Sequence, residues 1–273
     1  QVRDEEKEVS NMFITRTISG FILVVIVALA FYLGPLATNI LMCFVSLVGV
    51  MELLRVYKLN KRVIGWINYI FTIGYYALLY FMDDRFTLPL IVLYVLIIMA
   101  LFVLTYPKYT DKEILEGFLP FFYVAMMLSF VYRIRGLEHG GILVILIFVS
   151  SWGNDTCAYL VGRAIGKHKM SPKLSPKKSV EGLIGGIVGA ALLGALFGFL
   201  FNRYVDTLAM APVIFAVIGG IGALPAVVGD LAASAIKRNN DIKDYGKLIP
   251  GHGGVMDRFD SIIFTAPIVY YLL

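Results

Sequence analysis

Apolar residues run through this chain in long blocks, and polar residues are gathered into short segments between them. A helix that crosses a membrane needs roughly 20 mostly apolar residues, within about 17–25. Runs of that kind cover 17–34, 36–54, 63–82, 87–105, 117–133, 140–162, 181–201, 207–236 and 258–273. The pattern predicts an all-α polytopic integral membrane protein with about nine transmembrane helices. The fifth run is the weakest and the ninth is short. The eighth exceeds one straight span and carries Gly219-Gly220, Gly222 and Pro225 near its middle, where a kink is expected. The polar opening QVRDEEKEVSN, residues 1–11, reads as a cloning remnant or a disordered leader. The run after Arg16 does not read as a signal peptide, because similar runs follow it along the whole chain.

Composition agrees. Of 273 residues, 59% are hydrophobic and 16% charged, and the mean hydropathy is +0.81. Soluble domains lie near 45–50% and about 25%. Disorder, nucleic-acid readers with a solvated basic face and most soluble enzymes are thereby excluded. Cys43 and Cys157 both lie in apolar runs, so they read as small buried hydrophobes rather than a disulfide or metal pair.

With a formal charge of +5, the informative question is where the positives sit. Nine spans place 18 Lys and Arg residues on the side of the N-terminus and 4 on the other, outside the leader. The N-terminus is therefore expected to be cytoplasmic and the C-terminus outside. The same rule favours one kinked eighth helix, since two spans there would move the five positives of 237–258 outward.

The two halves differ. Residues 12–135 read as a transmembrane scaffold with few intramembrane charges, Glu52 lying close to a loop. Its aromatic stretches (Tyr75, Tyr76, Tyr80, Phe118, Phe121, Phe122, Tyr123) are expected to face lipid and interface. Residues 136–273 read as the catalytic region. Four acids there lie in or at the ends of apolar helices: Asp155, Asp230, Asp257 and Asp260. Ionisable groups in a membrane helix are costly and usually mark a site. Counting from the cytoplasmic exits at Arg163 and Lys237, Asp155 lies about 12 Å deep and Asp230 about 10 Å at the helical rise. Asp257 and Asp260 share a helix face at i, i+3, where the last span enters. Three helices thus deliver carboxylates to similar depths. Such hard oxygen donors, without cysteine and with few histidines, suit Mg²⁺ or Mn²⁺ rather than Zn²⁺, and more than one ion.

Two basic loops accompany the acids. After the sixth run the chain reads GRAIGKHKMSPKLSPKKSVEG. It suits a phosphate-binding loop, against the alternative of a polybasic patch on anionic lipid. Between the eighth and ninth runs lie Ser234, Lys237-Arg238, Lys243-Asp244, Gly246, His252-Gly253-Gly254, Asp257-Arg258 and Asp260, all within 27 residues. Cations for a triphosphate, glycines around a histidine and carboxylates for a metal follow in order.

The stretch Ser234–Asp260 resembles the signature of the phosphatidate cytidylyltransferases (CDP-diacylglycerol synthases). Asp155-Thr-Cys-Ala158-Tyr159, Gly162-Arg163 and Gly166, and then Ser175-Pro-Lys177-Lys178-Ser179-Val-Glu181-Gly182, are similar to upstream motifs of that family. The resemblance covers roughly 150–265. It implies that CTP and phosphatidate react to give CDP-diacylglycerol and diphosphate, a step of phospholipid biosynthesis, at the inner membrane with the site facing the cytoplasm. On this reading Asp230, Asp257 and Asp260 hold metal, and Asp155 is a fourth ligand or orients one. Lys237, Arg238 and Lys243 face the triphosphate. Lys177 and Lys178 meet CTP or the lipid head group, and His252 fixes its loop or contacts a phosphate. Ser234, Asp244, Gly253, Gly254 and Arg258 carry over with the signature. Two other readings stay open: a CTP-dependent enzyme on another lipid, such as a polyprenol kinase or an archaeal-type lipid cytidylyltransferase, and an ion-coupled transporter. No nucleic-acid partner is expected. Glycine rows in the seventh run (Gly182, Gly186; Gly185, Gly189; Gly194, Gly198) predict close helix packing, at least one row within the chain, and a homodimer is the base-rate expectation.

Overall fold

The computed structural model describes residues 2–204 and 210–273, and side chains from Thr15 onward apart from those of 16 and 203. The expected start of the eighth run at 207 lies outside the described residues, as do the side chains of Arg16 and Arg203 in the charge count. Among the described residues, seven helices are long and apolar enough to cross a membrane: Pro35–Val56, Val63–Phe81, Asp84–Leu104, Asp111–Arg135, Gly140–Ile165, Val180–Phe201 and Ala211–Asn239. Thr17–Leu33 is a shorter apolar helix, and the last helix, Met256–Leu272, has 17 residues. This is a helical membrane protein. Among the described residues, the only sheet is a two-stranded hairpin.

The chain forms two compact units, residues 1–129 with 244–258, and residues 130–243 with 259–273. The segment carrying most of the signature therefore belongs with the N-terminal helices.

The first unit contains α1 (Val2–Leu33), α2 (Pro35–Val56), α3 (Val63–Phe81), α4 (Thr87–Leu104) and α5 (Asp111–Pro120). Gly34, at φ 112°, makes the sharp joint between α1 and α2, and Pro35 opens α2 where its missing N–H costs nothing. Thr110 and Glu113 form a reciprocal capping box at the start of α5. Pro120 lacks the N–H that would continue the helical ladder, and a π-turn follows at Phe121–Met126.

Here the aromatic residues depart from expectation. Tyr75, Tyr76, Phe121 and Tyr123 are buried, while Tyr80 stays exposed. Tyr75, Tyr76 and Tyr94 carry hydroxyls that are satisfied inside the bundle. Tyr76 pairs with Ser46 Oγ at 2.8 Å and donates to Ala125 O at 3.2 Å, and Tyr94 donates to Asn68 Oδ1 at 3.1 Å. Phe121 packs edge-on against Tyr75 and Phe71. Once the polar tip has a partner, an aromatic ring gains more from close packing than from an interfacial position.

The second unit contains most of α6 (Met127–Arg135), then α7 (Gly140–Leu143), α8 (Ile145–Phe148), a π-turn at Val149–Gly153 and α9 (Asn154–Ile165). The hairpin of β1 (Lys169–Ser171) and β2 (Ser175–Ser179) is antiparallel and leads into α10 (Val180–Phe201). Next comes α11 (Ala211–Asn239), one helix of 29 residues with Pro225 inside it, and last α12 (Met256–Leu272) from Phe259 on. All three glycine rows of α10 pack within the chain. A Cβ at Gly182 or Gly186 would strike Ala158 or Asn154 of α9, and one at Gly185 or Gly189 would strike Val161 or Cys157. At Gly194 and Gly198 it would meet the backbone of α11 at Phe215 and Ala211. Small residues let these backbones approach, which is how helices associate without a hydrophobic driving force.

Candidate active site

In the second unit, three of the four expected carboxylates come into mutual electrostatic range. Asp155 lies in the first turn of α9, which follows the π-turn, an irregularity common at functional sites. Its Oδ2 accepts from Ser261 Oγ at 3.1 Å and its Oδ1 from Asn154 Nδ2 at 3.2 Å. Asp260 Oδ1 accepts from the Ser261 backbone N–H at 2.8 Å, so one serine links two acids. Asp260 also feels the negative charges of Asp230 and Asp155 and the positive charge of Lys237. Asp230 on α11 lies 2.5 Å, through Oδ2, from Lys178 Nζ, and its Oδ1 is 3.4 Å from Ser234 Oγ. Gly229 precedes it because a Cβ there would meet the Asp260 backbone oxygen at 2.5 Å. Removing that side chain lets α11 and α12 bring Asp230 and Asp260 together.

Lys178 reaches Asp230 from β2, while its neighbour Lys177 is exposed. The loop expected to bind phosphate is thus a hairpin. It is held by Glu181, whose carboxylate accepts from the backbone N–H groups of Lys167 and His168 and meets His168 Nδ1 at 2.5 Å. Ser179 caps α10 by accepting from Gly182 N–H at 3.1 Å. Gly162, Gly166 and Gly182 all crowd that hydroxyl, which gives these glycines a packing reason. Arg238 and Lys243 are exposed, and Lys237 is half-buried.

The first unit holds the rest of the signature. Gly251 and Gly253 adopt positive φ (75° and 87°), and an isolated bridge pairs Ile249 with Gly253. Together they fold Ile249–Gly254 into a tight turn. His252 Nδ1 meets Ser19 Oγ of α1 at 2.8 Å, and His252 O accepts from Arg258 Nε at 3.0 Å. Asp257, expected among the metal ligands, is buried, and its Oδ2 accepts from the backbone N–H groups of Tyr245 (2.8 Å) and Gly254 (3.0 Å). Asp244 is exposed. Glu52 of α2 is only 2% exposed and accepts from the Val255 and Met256 N–H groups at 3.1 and 2.9 Å.

Four residues at these positions escape a reading of the motif alone: Glu52, Ser19, Asn154 and Ser261. Ser19, Asn154 and Ser261 carry no distinctive signal. Glu52 does carry one, as an acid in an apolar run, but its closeness to a loop masked it. Among the described residues, no group of three or more His, Cys, Asp or Glu is arranged to hold a metal ion. The donors of the second unit are nonetheless all hard oxygens, which fit Mg²⁺ or Mn²⁺ by type. The ammonium of Lys178 already occupies a cation's place on Asp230.

Many long apolar helices, with carboxylates and cations in them and near their ends, define a polytopic helical membrane protein. The model of the cytidylyltransferase family matches residues 14–273, and the chain belongs to that family. It is 32% identical to a phosphatidate cytidylyltransferase of Bacillus subtilis over 94% of this chain and 96% of that one. It is 30% identical to one from Thermotoga maritima over 86% and 91%. One from Synechocystis is 39% identical over 49% of this chain and 44% of its own length.

Proposed function

We propose that this protein is a phosphatidate cytidylyltransferase. The observation that carries the reading is the cluster of Asp155, Asp230 and Asp260, set within or at the start of apolar helices, with Lys178 and Lys237 beside them. Relatives of that name over nearly the whole chain support it.

A phosphate oxygen of phosphatidate attacks the α-phosphorus of CTP. The new P–O bond forms as the α–β bond breaks, and diphosphate leaves with that electron pair. The nucleophile is already an anion, so no strong base is needed, and the task is to position two polyanions and neutralise them. Lys178 and Lys237 supply positive charge at the carboxylates, and exposed Lys177, Arg238 and Lys243 draw CTP from water. Asp155, Asp230 and Asp260 would contribute hard oxygen donors to a divalent metal, and that metal would supply positive charge to offset the phosphates. Ser261 and Asn154 orient Asp155 for this. To Asp257 we assign bracing of the signature turn, and to Ser19 the anchoring of His252.

The same reading takes nine spans, counting Thr17–Leu33 and Met256–Leu272 with the seven longer helices. It places the N-terminus and the reaction on the cytoplasmic face of the cell membrane, supported by the bias of 18 positives against 4. A homodimer would have to use faces other than the glycine rows of α10.

Purified protein incubated with phosphatidate and CTP labelled at either the α- or γ-phosphorus tests the reaction. Label from the α-position should enter CDP-diacylglycerol, and label from the γ-position should leave as diphosphate. Transfer of the γ-label to lipid would make the protein a kinase. Reaction only with a polyprenyl or archaeal-type lipid phosphate would change the substrate.

A further inference from the structure

Glu52 is a buried acid that neither the signature nor the proposed chemistry uses. A carboxylate removed from water needs strong donors, and its two oxygens take separate backbone N–H groups, Val255 at 3.1 Å and Met256 at 2.9 Å. Those groups open α12, where the N–H groups of the first turn lack intrahelical partners and the helix dipole favours negative charge. The residue that would ordinarily cap this helix is Val255, which has no side-chain oxygen. Glu52 provides the cap from 203 positions away in the chain.

Two motif glycines face the same carboxylate. A Cβ on Gly254 would lie 2.5 Å from Glu52 Oε1 and 2.6 Å from Oε2, and one on Gly246 would overlap Oε1 even more closely. Gly34, Gly251 and Gly253 are the glycines with positive φ, so backbone conformation does not call for glycine at 246 or 254. The space does.

We infer that Glu52 is a positioning residue for the signature turn, capping α12 from α2, and that Gly246 and Gly254 are glycines because the Glu52 carboxylate fills the volume a side chain would take. Only the turnover measurement below rests on the cytidylyltransferase reading.

Glu52→Gln keeps the shape but offers one acceptor oxygen to two N–H donors. Glu52→Gln and Gly254→Ala should each lower kcat about tenfold or more, as expected when a charged acceptor is lost or displaced. Hydrogen exchange of the 250–258 region should rise in both, with the rest of the protein unchanged. The distinguishing readout is the double variant: Gly254→Ala added to Glu52→Ala should cost no further turnover, because the clash has gone. Losses that multiply, wild-type turnover in Gly254→Ala, or unchanged exchange in Glu52→Gln would overturn the inference. Should Glu52→Ala not fold, turnover and exchange in Gly246→Ala and Gly254→Ala decide by the same criteria. A wild-type protein inactive on phosphatidate would defeat the proposed function, while the exchange result would still judge Glu52.

Discussion

At the scale of single residues, the second-unit acids differ in how they are held, and substitutions should separate them. Asp230→Asn and Asp260→Asn keep the shape but remove charge where Lys178 and Lys237 are balanced. Each should lower turnover by about 100-fold or more while the protein elutes normally in detergent, the scale of losing electrostatic stabilisation in a transition state. Near wild-type activity at saturating Mg²⁺ would remove that residue from the site. Ser261→Ala leaves both neighbouring carboxylates but deletes the hydroxyl donor to Asp155. Its cost should be about 1–3 kcal/mol, read as a lower melting midpoint, with kcat reduced less than by either aspartate change. Asp257 should behave differently again. Asn retains an oxygen for the Tyr245 and Gly254 amides and Ala does not. Asp257→Ala should therefore melt well below Asp257→Asn, and equal midpoints would remove its bracing role.

At the scale of elements, glycine decides where helices meet. Gly219 of α11 faces the Ala190 carbonyl of α10, so any Cβ there collides with backbone that cannot rotate away. Gly219→Val should abolish monodisperse protein in detergent. Gly74→Ala, with open space around it, should be neutral. A stable Gly219→Val would mean that the two helices can separate at little cost. The charge bias along the sequence favours α11 as one helix rather than two without any knowledge of packing, and α11 is one helix of 29 residues. The hairpin after α9 is not legible in the same way. Its lysines, serines and prolines look like any solvated loop, and its form depends on Glu181 gathering the Lys167 and His168 amides from 14 and 13 residues away.

For the whole molecule, the distribution of positive charge makes an orientation testable. In a cysteine-free background, single cysteines at 173 and 247 should resist an impermeant thiol reagent outside intact cells, while one at 85 should react. Outside labelling at 247 would break α11 into two spans and place the signature on the wrong face. Chelation should stop turnover, with Mg²⁺ or Mn²⁺ restoring it and Zn²⁺ failing, as hard oxygen donors require. Retained activity after chelation would dismiss the metal.

Helical spans and the acidic residues set within them are properties of local sequence. Apolar length and charge act on each segment independently of its neighbours, so Asp155, Asp230 and Asp260 stand out in a linear reading. Which group each acid serves is a matter of neighbours distant in the chain. Asp257 is tied to Tyr245 and Gly254 amides. Glu52, silent beside its loop, caps a helix 203 residues later. Aromatic residues that hydropathy assigns to lipid turn inward because Ser46, Asn68 and Ala125 satisfy their hydroxyls or those of their neighbours. Hydrogen-bond partners of buried polar groups depend on three-dimensional proximity, which no periodicity encodes, and only the tertiary structure decides them.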